Sequence, residues 1–138
     1  MNIEFGNANT LDTHGTGWFL GYGPWAQTQE RGPDSLRFMP EDMALHGLCM
    51  KWMNHPAADP RGTGKPLSVG RTLSIFVGDS GRFRIAFSEH PDFPADATQE
   101  HVLDRPGQFC AWGAGVYHRY EVDDDCTILT LRWVPSGD

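Results

Sequence analysis

The stretch Gly107-Gln-Phe-Cys-Ala-Trp-Gly113-Ala-Gly115-Val-Tyr-His118 decides the fold of this 138-residue chain. Glycine adopts backbone angles that other residues avoid, and it lets neighbouring groups approach closely. Glycines at these offsets therefore predict a strand, a sharp turn and a second strand that begins at the histidine. The imidazole at the start of that second strand is the first candidate functional group.

The spacing of these residues resembles the second sequence motif of the cupins, which reads G, five residues, P, one, G, two, H, three, N. Gly107, Gly115 and His118 match the motif. Gly113 stands at the proline position, and Val122 replaces the asparagine. The resemblance to the cupins extends over residues 47–134 and is weak before them.

The first cupin motif, G, five residues, H, one, H, three or four, E, six, G, is matched only in part. Gly47, His55 and Gly78 keep its frame, whereas Met53 replaces the first histidine and Arg71 replaces the carboxylate. Fifteen residues separate His55 from Arg71. The assignment of Arg71 to the carboxylate position therefore depends on counting back from Gly78.

The resemblance implies an all-β fold, namely the cupin-type double-stranded β-helix or jelly-roll barrel. We expect one domain over residues 1–138, with an N-terminal arm or edge strands in 1–40 and the barrel in 41–134. Sixteen Gly and ten Pro agree with short strands and many turns. The chain is also similar to small RmlC-like bacterial proteins grouped under a signal-peptidase label, but it offers no persuasive Ser/Lys dyad and no membrane anchor.

The local pattern predicts several strands and one long loop. Residues 71–77 and 82–87 are β-rich and flank a glycine turn, which predicts a hairpin. Residues 108–112, 116–122 and 127–134 are further predicted strands. The Pro/Gly-rich loop 56–70 is longer than most connections, so it is a candidate lid or partner contact.

Composition restricts the partners and the compartment. The net charge of -7 and the lack of a basic stripe argue against nucleic acid. No apolar run reaches the roughly 18 residues of a spanning helix, so we expect no membrane contact and a cytoplasmic protein. Cys49, Cys110 and Cys126 lack metal or redox spacing and are expected to be buried thiols without disulfides. A homodimer is expected by resemblance to the cupins.

The candidate site follows from the alternation of side chains along strands. By this count Met53, His55 and Lys51 share one face, Arg71 shares a face with Leu73, and Tyr120 joins His118. The predicted pocket is a mostly apolar cup with its polar groups near the mouth, as in small-molecule sites. The ligand-binding candidates are Met53, His55, Arg71, His118 and Tyr120. The alternative for each histidine and for Arg71 is a structural role.

A metal is the less favoured occupant of this site. In metal-binding cupins the two histidines and the glutamate of the first motif and the histidine of the second hold the ion, which leaves His55 and His118 here. A guanidinium at the carboxylate position repels a cation. We therefore expect no cofactor, with a divalent transition metal held by His55 and His118 as the alternative. Without metal, Arg71 and the imidazoles predict a carboxylate or phosphate ligand.

Three hypotheses about function remain open. The first is a small-molecule-binding cupin with a degenerate metal site and an acidic ligand. The second is an enzyme, either a metal-dependent oxygenase using His55 and His118 or a metal-free isomerase with His118 as the catalytic acid or base. The third is a structural dimer module whose pocket is filled by side chains.

Overall fold

The computed structural model describes residues 1–13, 15, 17–20 and 45–135. Of the arm or edge strands predicted over residues 1–40, the part from 21 to 40 lies outside the described residues. The described chain is almost entirely β-structure, with two short 3-10 turns at Pro60–Gly62 and Ala95–Ala97. The strands are β1 (Ile3–Asn7), β2 (Leu45–His55), β3 (Arg71–Val77), β4 (Arg82–Ser88), β5 (Thr98–Leu103), β6 (Gln108–Trp112), β7 (Tyr117–Asp124) and β8 (Cys126–Pro135).

The strands form two antiparallel sheets. The larger has the order β1-β6-β3-β8-β2, and the smaller has the order β5-β4-β7. A jelly roll has two sheets of four strands each. If β1 is set aside, the described strands have the jelly-roll order with four strands in the larger sheet and three of the four in the smaller. The predicted all-β, cupin-type jelly roll is therefore confirmed.

The loop between β2 and β3 runs along β7, where the eighth strand of a jelly roll would pair. The amide of Ala58 donates to the carbonyl of Val122 at 2.8 Å. Ten residues later the amide of Ser68 donates to the carbonyl of Val116 at 2.9 Å, and Ser68 accepts from the amide of Gly115 at 3.0 Å. The predicted long loop thus exists, and it covers the edge of the smaller sheet.

The predicted hairpin of residues 71–77 and 82–87 is wrong, although both strands are present. β3 pairs with β6 and β8 in the larger sheet, whereas β4 pairs with β5 and β7 in the smaller. The turn between them carries the chain from one sheet to the other. Gly78 and Gly81 have φ angles of 97° and 129°, which suit glycine and permit this crossing.

The larger sheet is apolar on both faces. Its inner face packs against the smaller sheet in a core that includes Phe76, Phe87 and Leu103. Its outer face carries a second cluster of Leu73, Phe109, Ala111 and Trp133, against which Phe19 and Leu20 pack. Such a sheet lacks the simple alternation of apolar and polar residues by which a buried face is recognised in sequence.

At one edge of the larger sheet, the outer face of β2 is apolar but exposed. Leu48, Met50 and Trp52 are 47%, 67% and 63% exposed, and we call them the β2 stripe. Trp52 is therefore not a core residue, although large aromatic side chains usually pack inside a domain. Exposed apolar groups that adjoin one another are typical of surfaces that contact a partner.

The three cysteines are free thiols, as predicted, but their burial differs. Cys110 and Cys126 are buried, and burial raises the pKa of Cys110 far above its usual range and that of Cys126 to about 11. Cys49 is exposed, so the prediction that it is buried is wrong. Within the described residues, no helix has the length and apolar composition needed to cross a membrane.

Candidate functional site: a cationic pocket between the sheets

A pocket of about 190 Å³ opens between the inner faces of the two sheets. Six strands supply its wall, so its shape is set by the sheets themselves. Its lining residues are Cys49, Met50, Lys51, His55, Thr72, Ser74, Phe83, Ile85, Trp112, His118, Tyr120, Ile128, Thr130 and Arg132. The predicted mostly apolar cup is therefore present, with a larger polar share than the sequence indicated.

Three of the five predicted ligand-binding residues line this pocket. His55 comes from the end of β2, and His118 and Tyr120 lie two residues apart on β7. The rings of His55 and Tyr120 meet edge to face, with 4.9 Å between centroids. Met53 is half-buried on the same face of β2 as His55, in register with Ile128, but it is not among the lining residues.

The predicted placement of Arg71 inside the cup is wrong. Arg71 is exposed at the start of β3, and its register places it opposite Trp133 on the outer face. The inner face of β3 carries Thr72 and Ser74 instead, and both are buried. Sequence patterning misled here because Leu73 is buried on the outer face in the second apolar cluster.

Arg132 is the guanidinium that does line the pocket, and it was not among the residues predicted from the sequence. It lies on β8 in register with Thr72 of β3, and its Nε donates to Thr72 Oγ1 at 3.1 Å. Alternation along β8 also places Ile128 and Thr130 on the inner face. Parity identifies Arg132 only after one inner residue of β8 is known, and the sequence does not supply that residue.

Lys51 accompanies Arg132 in the pocket wall. Among the residues that the structure describes, neither side chain forms an ion pair with a carboxylate. Partial burial and the positive charges of Lys65 and Arg132 lower the pKa of Lys51. Cations near one another with no local counter-ion make an attractive environment for an anion.

Two buried ring nitrogens at the pocket also lack hydrogen-bond partners. They are Nε1 of Trp112, whose side chain is almost fully buried, and Nδ1 of His118. A buried donor without an acceptor costs free energy, so such groups in native proteins call for a ligand or water. Burial and the nearby Arg132, Lys65 and Lys51 lower the pKa of His118 to about 4, so its imidazole is neutral at pH 7.

Elsewhere in the lining, His55 forms a dyad with Asp59, a loop residue that was not among the residues predicted from the sequence. His55 Nδ1 lies 2.7 Å from Asp59 Oδ2, and both side chains are buried. Arg61 donates to both carboxylate oxygens of Asp59 at 2.8 Å and lowers the pKa of this acid well below its usual range. Because Asp59 is a carboxylate, Nδ1 of His55 carries the proton and Nε2 is a free base.

The residues around the pocket do not fit a divalent metal. Two imidazoles line it, but the described residues contain no group of three or more His, Cys, Asp or Glu suited to hold an ion. The nearest carboxylate to His55, Asp59, is already bound through both oxygens by Arg61. Lys51 and Arg132 add positive charge to the same cavity, which opposes cation binding.

Comparison with known proteins yields weak likenesses. RmlC from Streptococcus suis, solved in complex with dTDP-D-xylose, superposes with a TM-score of 0.42 at 13% identity, over 64% of this chain and 43% of that chain. WlaRA, a TDP-fucose-3,4-ketoisomerase from Campylobacter jejuni, superposes with a TM-score of 0.44 at 11% identity, over 100% of this chain and 85% of that chain. The chain thus spans less than half of the RmlC chain. No protein-family model and no curated protein matches it. The strand order and the lining described above define the class of protein, namely an all-β jelly roll with a pocket between its sheets.

Proposed function

We propose that this protein binds a small anionic molecule, bearing a carboxylate or phosphate, in the pocket between its sheets. The main support is that Lys51 and Arg132 line this pocket and neither forms an ion pair with a carboxylate among the described residues. A guanidinium holds a carboxylate or phosphate through two parallel hydrogen bonds. The cavity of about 190 Å³ restricts the ligand to a small molecule.

The rest of the lining supports the same ligand. Nε1 of Trp112 is an unpartnered donor, and a ligand oxygen would satisfy it. Phe83 and Tyr120 stack with 4.9 Å between their centroids and form an apolar part of the wall. We therefore expect a ligand with an anionic group at the cations and a short, partly apolar body against the aromatic rings.

Arg132→Gln tests this proposal, and Arg71→Gln is the matched control because Arg71 is exposed on the opposite face of the same sheet. Thermal-shift and calorimetric titrations would use small carboxylates and phosphates beside their neutral amide or alcohol analogues. Losing one charge-assisted hydrogen bond costs about 1.5–3 kcal/mol, or roughly 10- to 150-fold in affinity. Binding that survives Arg132→Gln, or equal binding of the neutral analogues, would contradict the proposal.

The second candidate function is metal-free isomerase or proton-transfer chemistry, and the His55–Asp59 dyad favours it. Burial outweighs the pull of Asp59 and lowers the pKa of His55, so the imidazole is a neutral base at pH 7. A base held in one tautomer by a buried carboxylate is the arrangement that enzymes use for proton abstraction. The sequence favoured His118 for this role, but His55 has the orienting partner.

Exchange of carbon-bound protons with D₂O tests the second candidate. A bound carboxylate with an acidic C–H would lose its proton signal in NMR spectra in the presence of the protein. We expect His55→Gln to abolish exchange and Asp59→Asn to slow it, with ligand binding retained in His55→Gln. Exchange that persists in His55→Gln would assign the base elsewhere.

A further inference from the structure

The chain contains two lysines, one in the wall of the pocket and one beside a residue of that wall. Lys51 belongs to its wall, on β2 in register with Thr130 of β8. Lys65, from the loop over β7, lies with Nζ 5.7 Å from the ring centroid of Tyr120, another wall residue. Lysines on a protein surface usually serve solubility. The position of both lysines near one cavity suggests that they also act on what the cavity binds.

Lys51 is an exposed residue in the pocket wall, and other cations lie near it. It shares the wall with Arg132, and Lys65 lies at the neighbouring Tyr120, so other cations surround it. Partial burial and, after it, the neighbouring positive charges lower the pKa of Lys51, and both favour the neutral, nucleophilic form of the amine. Arg132, whose charge is permanent, can then hold an anion beside this amine.

We propose that Lys51 forms a Schiff base with a 2-oxo carboxylate whose carboxylate is held by Arg132. This deepens the proposed function and rests on it, since it names the class of anion that the pocket takes. The neutral amine adds to the keto carbon, and a C–N bond forms. The nitrogen then loses its protons as the keto oxygen leaves as water, so amine and ketone give imine and one water without a change of oxidation state. The neutral imidazole of His118 lines the same cavity and can accept the first proton.

The test is reductive trapping with pyruvate and cyanoborohydride, which converts an imine into a stable secondary amine. Peptide mapping by mass spectrometry then shows whether the adduct is on Lys51, on Lys65 or on the amino terminus. We expect one adduct at Lys51, lost in Lys51→Arg and retained in Lys65→Arg. Acetone, which has the ketone without the carboxylate, should label Lys51 no better than the other amines.

The role of Arg132 separates this proposal from general lysine reactivity. In Arg132→Gln the selectivity for Lys51 should be lost, whereas Arg71→Gln should label as the unaltered protein does. Equal labelling at Lys51, Lys65 and the amino terminus would overturn the Schiff base. Protection by pyruvate in the thermal-shift assay without any adduct would also overturn it and leave the proposed anion binding standing. Absence of both adduct and protection for every anion tested would overturn the two together.

Discussion

At the scale of single residues, His118 shows how the pocket sets the chemistry of its lining. Its ring lies 5.2 Å from that of Trp112, and its buried Nδ1 has no hydrogen-bond partner. A charged imidazole there would lose its hydration and face Arg132, Lys65 and Lys51. The neutral form is therefore favoured, and the pKa falls from its ordinary value of 6.5 to about 4.

This lowered pKa predicts a loss of stability in mild acid. Unfolding returns His118 to its ordinary pKa of 6.5, so between pH 6.5 and pH 4 the unfolded chain binds the extra proton. The contribution of His118 is intact above pH 6.5 and is lost as the pH falls toward 4. Between pH 7 and pH 4.5 the free energy of unfolding should fall by about 2 kcal/mol through this residue alone.

Urea denaturation of the unaltered protein and of His118→Gln at these two pH values measures the effect. The variant should lose less stability on acidification, and the difference is the contribution of His118. It should still lose some, because burial also lowers the pKa of His55 and of His101. Identical acid sensitivity of the two proteins would show that His118 is not held neutral.

Part of the site could be predicted from sequence. His55, His118 and Tyr120 were identified because a motif frame and strand parity pointed to the same face. Arg132 was missed because a strand assignment alone does not say which face meets the cavity. Asp59 contacts His55 from a loop, where no periodicity relates the two positions. Arg71 was misplaced because both faces of its sheet are apolar.

At the scale of secondary-structure elements, the segment 57–68 takes the place of a strand along the edge of β7. Gly62 lies directly against β7, and a Cβ there would overlap the carbonyl oxygen of Tyr120. The His55–Asp59–Arg61 contacts hold the same segment from its first half. The loop is thus fitted to β7, although it has little regular structure of its own.

Substitution of Gly62 should therefore disturb both stability and binding. Gly62→Ala forces the segment away from β7, and overpacking of this kind costs about 1–3 kcal/mol. Because Tyr120 lines the pocket, affinity for an anionic ligand should fall as well. The neighbouring Thr63→Ala, at an exposed position, is the control and should change neither quantity. Denaturant titration and calorimetry measure the two effects, and an unaffected Gly62→Ala would show that the segment does not press on β7.

The strands were largely predictable, but their pairing was not. The run Arg71–Val77, the glycine turn and the run Arg82–Ser88 have the local composition of a hairpin. A turn that crosses between two sheets needs the same features: β-rich flanks, and glycines where φ is positive. The partners that decide the outcome, β6 and β8, lie about 30 to 60 residues further along the chain, beyond any local pattern.

At the scale of the whole molecule, self-association remains a prediction, and the β2 stripe is where we expect it. In the described part of the chain β2 ends the larger sheet and pairs with β8 alone. An edge strand with an exposed apolar face favours pairing with another strand, and two copies related by a twofold axis could each supply one.

Trp52→Lys should therefore weaken a homodimer, because it places a charge in the stripe. Sedimentation velocity over a range of concentrations would show a dimer for the unaltered protein and a monomer for the variant. Leu67→Lys is the matched control, since Leu67 is a similarly exposed apolar residue in the loop between β2 and β3. A monomer at every concentration, or a dimer that persists in Trp52→Lys, would contradict the prediction.

Because Cys49 is exposed whereas Cys110 and Cys126 are buried, a fluorescent dye that reacts with thiols should label this protein at one position. The thiolate is the reactive form of cysteine, and Cys110 and Cys126 are both buried and hard to deprotonate. Cys49 is exposed, belongs to the pocket wall and lies in register with Arg132. A dye attached by a maleimide would therefore be placed at the pocket without any engineered cysteine, and its emission would report when the pocket fills.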